Sequence, residues 1–215
     1  AVRLLGRGLL VQIGTEKQVQ AETRLKDLLA EAMQANRDFT KLALYLRLLV
    51  ALEDIKTLVQ FVTDELFHEL GFRAELMAFL ERAAVSEAIE PEDRFWALDG
   101  LVFSEAKRGE FGKSAARLDL MDRLIADHDL DEYARLAAAM KRMSVCAAHQ
   151  DVQGVEAAIQ RAAKLLPNNP KHQRIFRYNA ARALWSLGRY QAAADESFKL
   201  IMEPGAHLYL QPRSF

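Results

Sequence analysis

A single cysteine, Cys146, is all that the 215 residues carry. One thiol cannot build a disulfide framework, nor a zinc or iron–sulfur site with several cysteine ligands. The cytoplasm is therefore the expected compartment. Chain breakers are scarce too, with ten Gly and five Pro, which leaves long stretches free to be helical. Neither sign of charge is in excess. Basic residues number 29 against 30 acidic ones, a net of −1, which disfavours a dedicated nucleic-acid binder, whose affinity grows with the number of basic contacts. No stretch of about eighteen apolar residues is free of charge, so no membrane-spanning helix and no membrane partner are expected. The longest apolar run, Leu42–Leu52, is interrupted by Arg47. The opening residues AVRLLGRGLL contain neither an initiator Met nor a signal-peptide cleavage pattern. They read as the cut end of a longer protein or as a processed chain.

What is present is helix-forming. The chain holds 34 Ala and 32 Leu, and its apolar residues recur with helical period. Leu25, Leu28, Leu29 and Ala32 fall at i, i+3, i+4 and i+7, as do Leu76, Phe79, Leu80 and Ala83, and Ala180, Ala183, Leu184 and Leu187. Period-two alternation is confined to Leu9–Ile13 and Leu208–Leu210. Thr15-Glu-Lys-Gln18 and Asp129-Leu-Asp-Glu132 have capping-box form, and Pro91 suits a first helical turn. Pro167 and Pro170 end one helix and delay the next. These signals predict ten helices over about 15–36, 38–52, 54–70, 72–89, 92–108, 110–127, 130–149, 152–166, 171–187 and 189–203. No Gly or Pro lies between Asp38 and Gly71, so 38–70 is read as two helices or as one long one.

Turn signals recur, each closed by an apolar residue: Asn36-Arg-Asp-Phe39, Gly71-Phe72, Gly109-Glu-Phe111, Gln150-Asp-Val152 and Gly188-Arg-Tyr190. The first interval, Asn36 to Gly71, is 35 residues, and the next three are 38, 41 and 38. Each accommodates two helices and two short turns, the length of a helical-hairpin repeat.

The segment Tyr178-Asn-Ala-Ala-Arg-Ala-Leu-Trp-Ser-Leu-Gly188-Arg-Tyr190-Gln-Ala-Ala193 resembles a tetratricopeptide repeat. The likeness lies in Ala180, Ala181, Ala183, Leu187-Gly188, Tyr190 and Ala193, with Pro204 near the usual closing proline. Small residues let paired helices approach, Gly permits the tight turn, and the aromatic fills the gap between hairpins. The unit around Asp151-Val152 matches less, and that around Gly109-Glu-Phe111 less again. The resemblance implies an all-α, right-handed α-solenoid of stacked antiparallel hairpins that binds a protein or peptide on its inner face and is not an enzyme. On this basis residues 91–204 are the repeats. Residues 1–90 are a less regular helical region continuing from chain not present, and 205–215 are an irregular tail. The first helix of each hairpin would line the groove. That nominates Trp96, Phe103 and Lys107 in one hairpin, Met140, Ser144 and Ala147 in the next, and Tyr178, Arg182 and Trp185, with Asn179 nearby, in the last. Core packing is the competing role for Trp96 and Trp185. The complete set of basic and Asn residues that clamps a terminal carboxylate in some members is not present.

Signatures of catalysis are isolated fragments. Glu65-Leu-Phe-His68 is a single Glu-x-x-His, where a di-iron bundle needs two with further carboxylates. Cys146-Ala-Ala-His149 puts a thiol and an imidazole one helical turn apart with no orienting partner in view, and zinc would need two more ligands. Cys146 lies among alanines and reads as a small buried residue. Asp127-His-Asp129 is a polar turn, and Gly6-Arg-Gly8 lacks the Gly-Lys-Ser/Thr ending of a phosphate loop. No catalytic residue, metal or cofactor is expected.

Charge is unevenly placed. Residues 51–100 carry 4 basic and 12 acidic groups, and residues 151–215 carry 9 and 5. No acid occurs between Glu156 and Asp195, a stretch that holds Arg161, Lys164, Lys171, Arg174, Arg177, Arg182 and Arg189. Arg174, Arg177, Tyr178 and Arg182 are expected on one side of a helix. The stretch is either a solvated face neutralised by acids elsewhere or a basic, aromatic-edged binding patch. The leading expectation is a scaffold or adaptor module for a protein or peptide, an acidic one if the basic stretch is used. It could also contact other domains of its parent protein. The alternative is the sensor arm of a multidomain signalling regulator that binds nucleic acid or a phosphate-bearing ligand through residues 157–194.

Overall fold

A computed structural model of the chain describes residues 15–36, 41–61 and 73–202. Every regular element among them is helical: α1 (Thr15–Asn36), α2 (Leu42–Ala51), α3 (Ile55–Leu58), α4 (Arg73–Val85), α5 (Pro91–Lys107), α6 (Phe111–His128), α7 (Glu132–Ala148), α8 (Val152–Leu165), α9 (Gln173–Ser186) and α10 (Tyr190–Met202). Short 3₁₀ turns lie at Val59–Phe61, Leu166–Asn168 and Pro170–His172. No strand occurs among the described residues, and no described helix is long and apolar enough to cross a membrane. The expected all-α class is thus observed. The two alternating runs, Leu9–Ile13 and Leu208–Leu210, lie outside the described residues, as do Gly6-Arg-Gly8, the Glu65/His68 pair and the Gly71-Phe72 turn.

The chain divides into two compact units, residues 1–85 and 86–215. In the first, α2 packs against α1, α3 and α4. Leu46, Leu49, Leu58, Leu76 and Leu80 are its fully buried side chains. The helical stretch does break between α2 and α3, although neither Gly nor Pro is there. Glu53 takes up a left-handed φ of 53°, and Asp54 caps α3 by accepting from the Thr57 amide at 3.2 Å. The Lys26 ammonium, from α1, lies 2.8 Å from the other Asp54 oxygen.

The second unit is a succession of three hairpins, α5/α6, α7/α8 and α9/α10. Within each, the two helices pack on one another, and the first helices also pack in series, α5 on α7 and α7 on α9. All three hairpins turn alike. Gly109, Gln150 and Gly188 sit at φ of 75°, 58° and 70°. In each turn the next residue donates back five positions, Glu110 to Glu105, Asp151 to Cys146 and Arg189 to Leu184, each at 2.9 Å. The left-handed residue itself donates back three positions, at 3.1, 3.1 and 3.0 Å. This pair of bonds is the Schellman close of a helix, which satisfies its last carbonyls. Glu53 and Asp54 repeat the pattern in the first unit. The left-handed conformation strains any residue but Gly. Gln150 holds it with a side chain that donates to the carbonyls of Ala147 and Ser186, at 3.2 Å each.

Helix starts follow local chemistry. Pro91 opens α5 with Glu92 and Asp93 in its first turn, where acids suit the helix dipole. Asp151 caps α8 by accepting from the Gly154 amide at 2.9 Å. The cap of α7 corrects the sequence expectation. Asp131, not Asp129, accepts from the Ala134 amide, at 2.8 Å. Asp131 is extended as a capping residue must be, whereas Asp129 has a φ of 48° and closes α6.

Small residues set the spacing of the last two hairpins. Ala139, Ala147, Ala158, Ala162, Ala180 and Ala183 form one buried cluster with Leu136, Met143, Val155 and Phe176. Alanine faces let helix axes approach, and the larger side chains fill the remaining gaps. Gly154 marks the closest approach. A Cβ there would overlap the capping Asp151 carboxylate and lie 2.7 Å from Cys146 Sγ.

Candidate functional site

The first helices of the three hairpins carry a seam of aromatic and cationic side chains. Trp96 on α5 stands edge-on to Phe95, with ring centres 4.9 Å apart, and tilts against Tyr133 of α7 at 5.2 Å. Tyr133 in turn stacks on His172, just before α9, at 4.5 Å. The Lys171 ammonium lies 6.0 Å from the centre of the Tyr133 ring. Two turns further along α5, the Phe103 ring is approached by Lys107 at 5.1 Å and by Lys141 of α7 at 4.7 Å, a geometry in which ring and cation attract. Burial pushes the His172 imidazole below its ordinary range, assisted by Lys171. It is therefore neutral at pH 7.

Around these helices lie ion pairs whose partners the sequence reading did not identify. Asp99 is only 1% exposed, and Lys141 pairs with it, 3.2 Å away across the α5–α7 contact. Among the described residues neither carboxylate oxygen has a well-aligned hydrogen-bond donor. Burial pushes the Asp99 carboxyl up, against the pull of Lys141. Glu105, buried between α5 and α6, has Arg117 at 3.5 Å and is likewise pushed up by burial, with Arg117 opposing. Arg142 of α7 bridges to Asp119 at 3.0 Å and Asp122 at 2.8 Å, and Arg161 of α8 reaches Asp122 at 3.0 Å. Removing one member of a buried pair strands the other, at a cost of about 3–5 kcal/mol. Of these pairs Asp99–Lys141 is the buried one that joins two hairpins, whereas the Arg142 and Arg161 pairs are largely open to solvent and contribute about 0–1 kcal/mol each.

The last hairpin is different. Ile175, Tyr178, Arg182 and Trp185 follow one another at helical spacing along the exposed side of α9. The Arg182 guanidinium lies over the Tyr178 ring at 5.6 Å, and no described acid pairs with it. Trp185, 64% exposed, meets Tyr190 of α10 edge-on at 4.8 Å.

The nominated residues thus fall into three groups. Trp96, Phe103 and Lys107 lie in the seam between α5 and α7, with both aromatics half-buried. Tyr178, Arg182 and Trp185 form the exposed stripe on α9. Arg177 leaves its expected side and faces α10, where Glu196 pairs with it at 3.2 Å. Arg174 is half-buried. Of the middle hairpin's nominees, Ala147 is buried, Met140 packs against the alanine cluster and Ser144 is exposed. Several cations of the acid-free stretch meet acids from other helices. Arg161 has Asp122, Arg177 has Glu196, and Arg189 has Glu156 at 3.8 Å.

Tyr133, Lys141, His172 and Asp99 were missed. Tyr133 and His172 carry no signal of their own in the sequence. Asp99 and Lys141 had one, since each interrupts an apolar helix face. Cys146 is half-buried, and burial, then Asp151, pushes its thiol up. That is the opposite of what an activated nucleophile needs. Among the described residues no group of three or more His, Cys, Asp or Glu is placed to hold a metal ion. Comparison of the chain with protein-family models, with curated proteins and with solved structures finds no match.

Proposed function

We propose that the chain is a non-catalytic interaction module within a larger intracellular protein, its hairpins stacked as a right-handed solenoid of tetratricopeptide type. The observation that carries this reading is the repetition in the second unit. Three hairpins close with the same left-handed turn and hydrogen-bond pair, and their first helices pack in series. That series brings Trp96 against Tyr133 and Phe103 against Lys141. Half-exposed aromatics flanked by cations suit a peptide with apolar and acidic side chains. The alternative, a nucleic-acid or phosphate sensor arm, draws on the acid-free stretch. It is weakened by the ion pairs that occupy Arg161, Arg177 and Arg189.

A pull-down tests the proposal. Partners retained by the wild type are expected to be lost on combining Trp96→Ala and Phe103→Ala with Tyr178→Ala, Arg182→Glu and Trp185→Ala. Retention of every partner by that variant sinks the site. Titration with RNA or DNA against salt decides the alternative, because phosphate contacts demand a steep salt response.

A further inference from the structure

We propose that the outer face of the last hairpin, between α9 and α10, is a docking site for an acidic amphipathic helix of another polypeptide. This rests on the reading of the chain as an interaction module and names its partner class. The argument is internal to the fold. Counted back from the left-handed residue of each hairpin, Asp99, Met140 and Tyr178 stand ten positions before it, and Ala106, Ala147 and Trp185 three. In the first two hairpins these positions are buried or half-buried, because the next first helix covers them. Lys141 of α7 sits on Asp99, and Met140 and Ala147 pack into the cluster that contains Ala180 and Ala183 of α9. In the last hairpin the same positions are open, with Tyr178 48% and Trp185 64% exposed. On α10, Tyr190 meets Trp185, and Phe198 and Ile201 are exposed as well. The interface that joins hairpin to hairpin is thus repeated once more, and no described helix lies on it.

Charge identifies the occupant. In the α5–α7 contact Lys141 answers an acid, Asp99, and lies over Phe103. The equivalents of Asp99 and Phe103 in the last hairpin are Tyr178 and Arg182, so the sign is reversed. A helix lying there as α7 lies on α5 would set an acid against Arg182, which has no described acidic partner. A second copy meeting this face by two-fold symmetry would set Arg182 against the same acid-free α9.

The probe is a fluorescein-labelled peptide of residues 131–149, the α7 segment, carrying Lys141→Glu and Cys146→Ser. Its binding to the full chain is read by anisotropy. Saturable binding is expected, at least tenfold weaker for Arg182→Glu and for Phe198→Asp. The peptide that keeps Lys141 is expected to show the reverse preference, favouring the Arg182→Glu protein. Equal affinity for wild type and Arg182→Glu overturns the proposal, as does binding lost only with Trp96→Ala. Both of those outcomes leave the module reading standing, whereas an empty pull-down would end both. Self-association abolished by Phe198→Asp would assign the face to a second copy. Acrylamide quenching of Trp185 that rises on Leu208→Asp with Leu210→Asp would assign it to the chain's own tail. Each of these also overturns the proposal.

Discussion

Replacing Gly154 with Ala is expected to destabilise the second unit, although the same exchange in a helix is ordinarily favourable. Gly154 lies in the first turn of α8, where Ala would normally gain about 1 kcal/mol at most. Here the methyl would overlap the Asp151 carboxylate and lie 2.7 Å from Cys146 Sγ. Swinging Asp151 aside forfeits the 2.9 Å cap to the Gly154 amide, a loss of about 1 kcal/mol. Crowding the half-buried thiol costs about 1–3 kcal/mol more. The sum is a net loss of about 1–3 kcal/mol, or a melting point lower by about 2–12 °C in a protein of this size. Both tryptophans, Trp96 and Trp185, belong to residues 86–215, so urea unfolding followed by tryptophan fluorescence reports this unit. Gly112→Ala is the control. It meets nothing within 4 Å and is expected to stabilise by about 0.5–1 kcal/mol. Combining Asp151→Ala with Cys146→Ala should make Gly154→Ala neutral or favourable. If Gly154→Ala matches or exceeds wild-type stability with Asp151 and Cys146 in place, the close approach of α7 and α8 is refuted.

Gly188→Ala is expected to cost about 1–2 kcal/mol, because its φ of 70° is left-handed although its surroundings are open, and Glu53→Gly should move urea stability of the first unit in the opposite direction. Stability should also respond to acid through Asp99 and Glu105. Both carboxyls are pushed up in the folded chain by burial, so the folded state holds their protons more tightly than the unfolded state. Their contribution therefore grows as pH falls from neutrality toward the ordinary carboxylate range, and is lost as pH rises through the folded values. Urea midpoints at pH 7.5 and 5 should show this, and Asp99→Asn with Glu105→Gln should flatten the difference. An unchanged pH slope would mean that the two acids are not desolvated.

The sequence by itself determined the helices and their turns. Apolar spacing of three and four residues can be satisfied only by a helix, and the Gly109, Gln150 and Gly188 turns declare themselves because helix ends draw on local hydrogen bonds. Pro91 was legible for the same reason, since a first-turn proline acts within four residues, whereas Asp151 was read only as part of a turn and its capping role came from the structure. Asp129 misled because a capping-box pattern fits two neighbouring aspartates, and only the backbone direction selects Asp131. Contacts across helices were decided by tertiary structure alone. Asp99 meets Lys141 at a separation of 42 positions, and Tyr133 reaches both Trp96 and His172. Arg177 and Tyr178 are neighbours in sequence, yet one turns to Glu196 on α10 and the other to solvent. Periodicity tells which residues share a helix face, but which neighbour covers that face depends on how the hairpins stack. The exposed stripe of Tyr178, Arg182 and Trp185 on α9 follows from that packing, because no described helix lies over it.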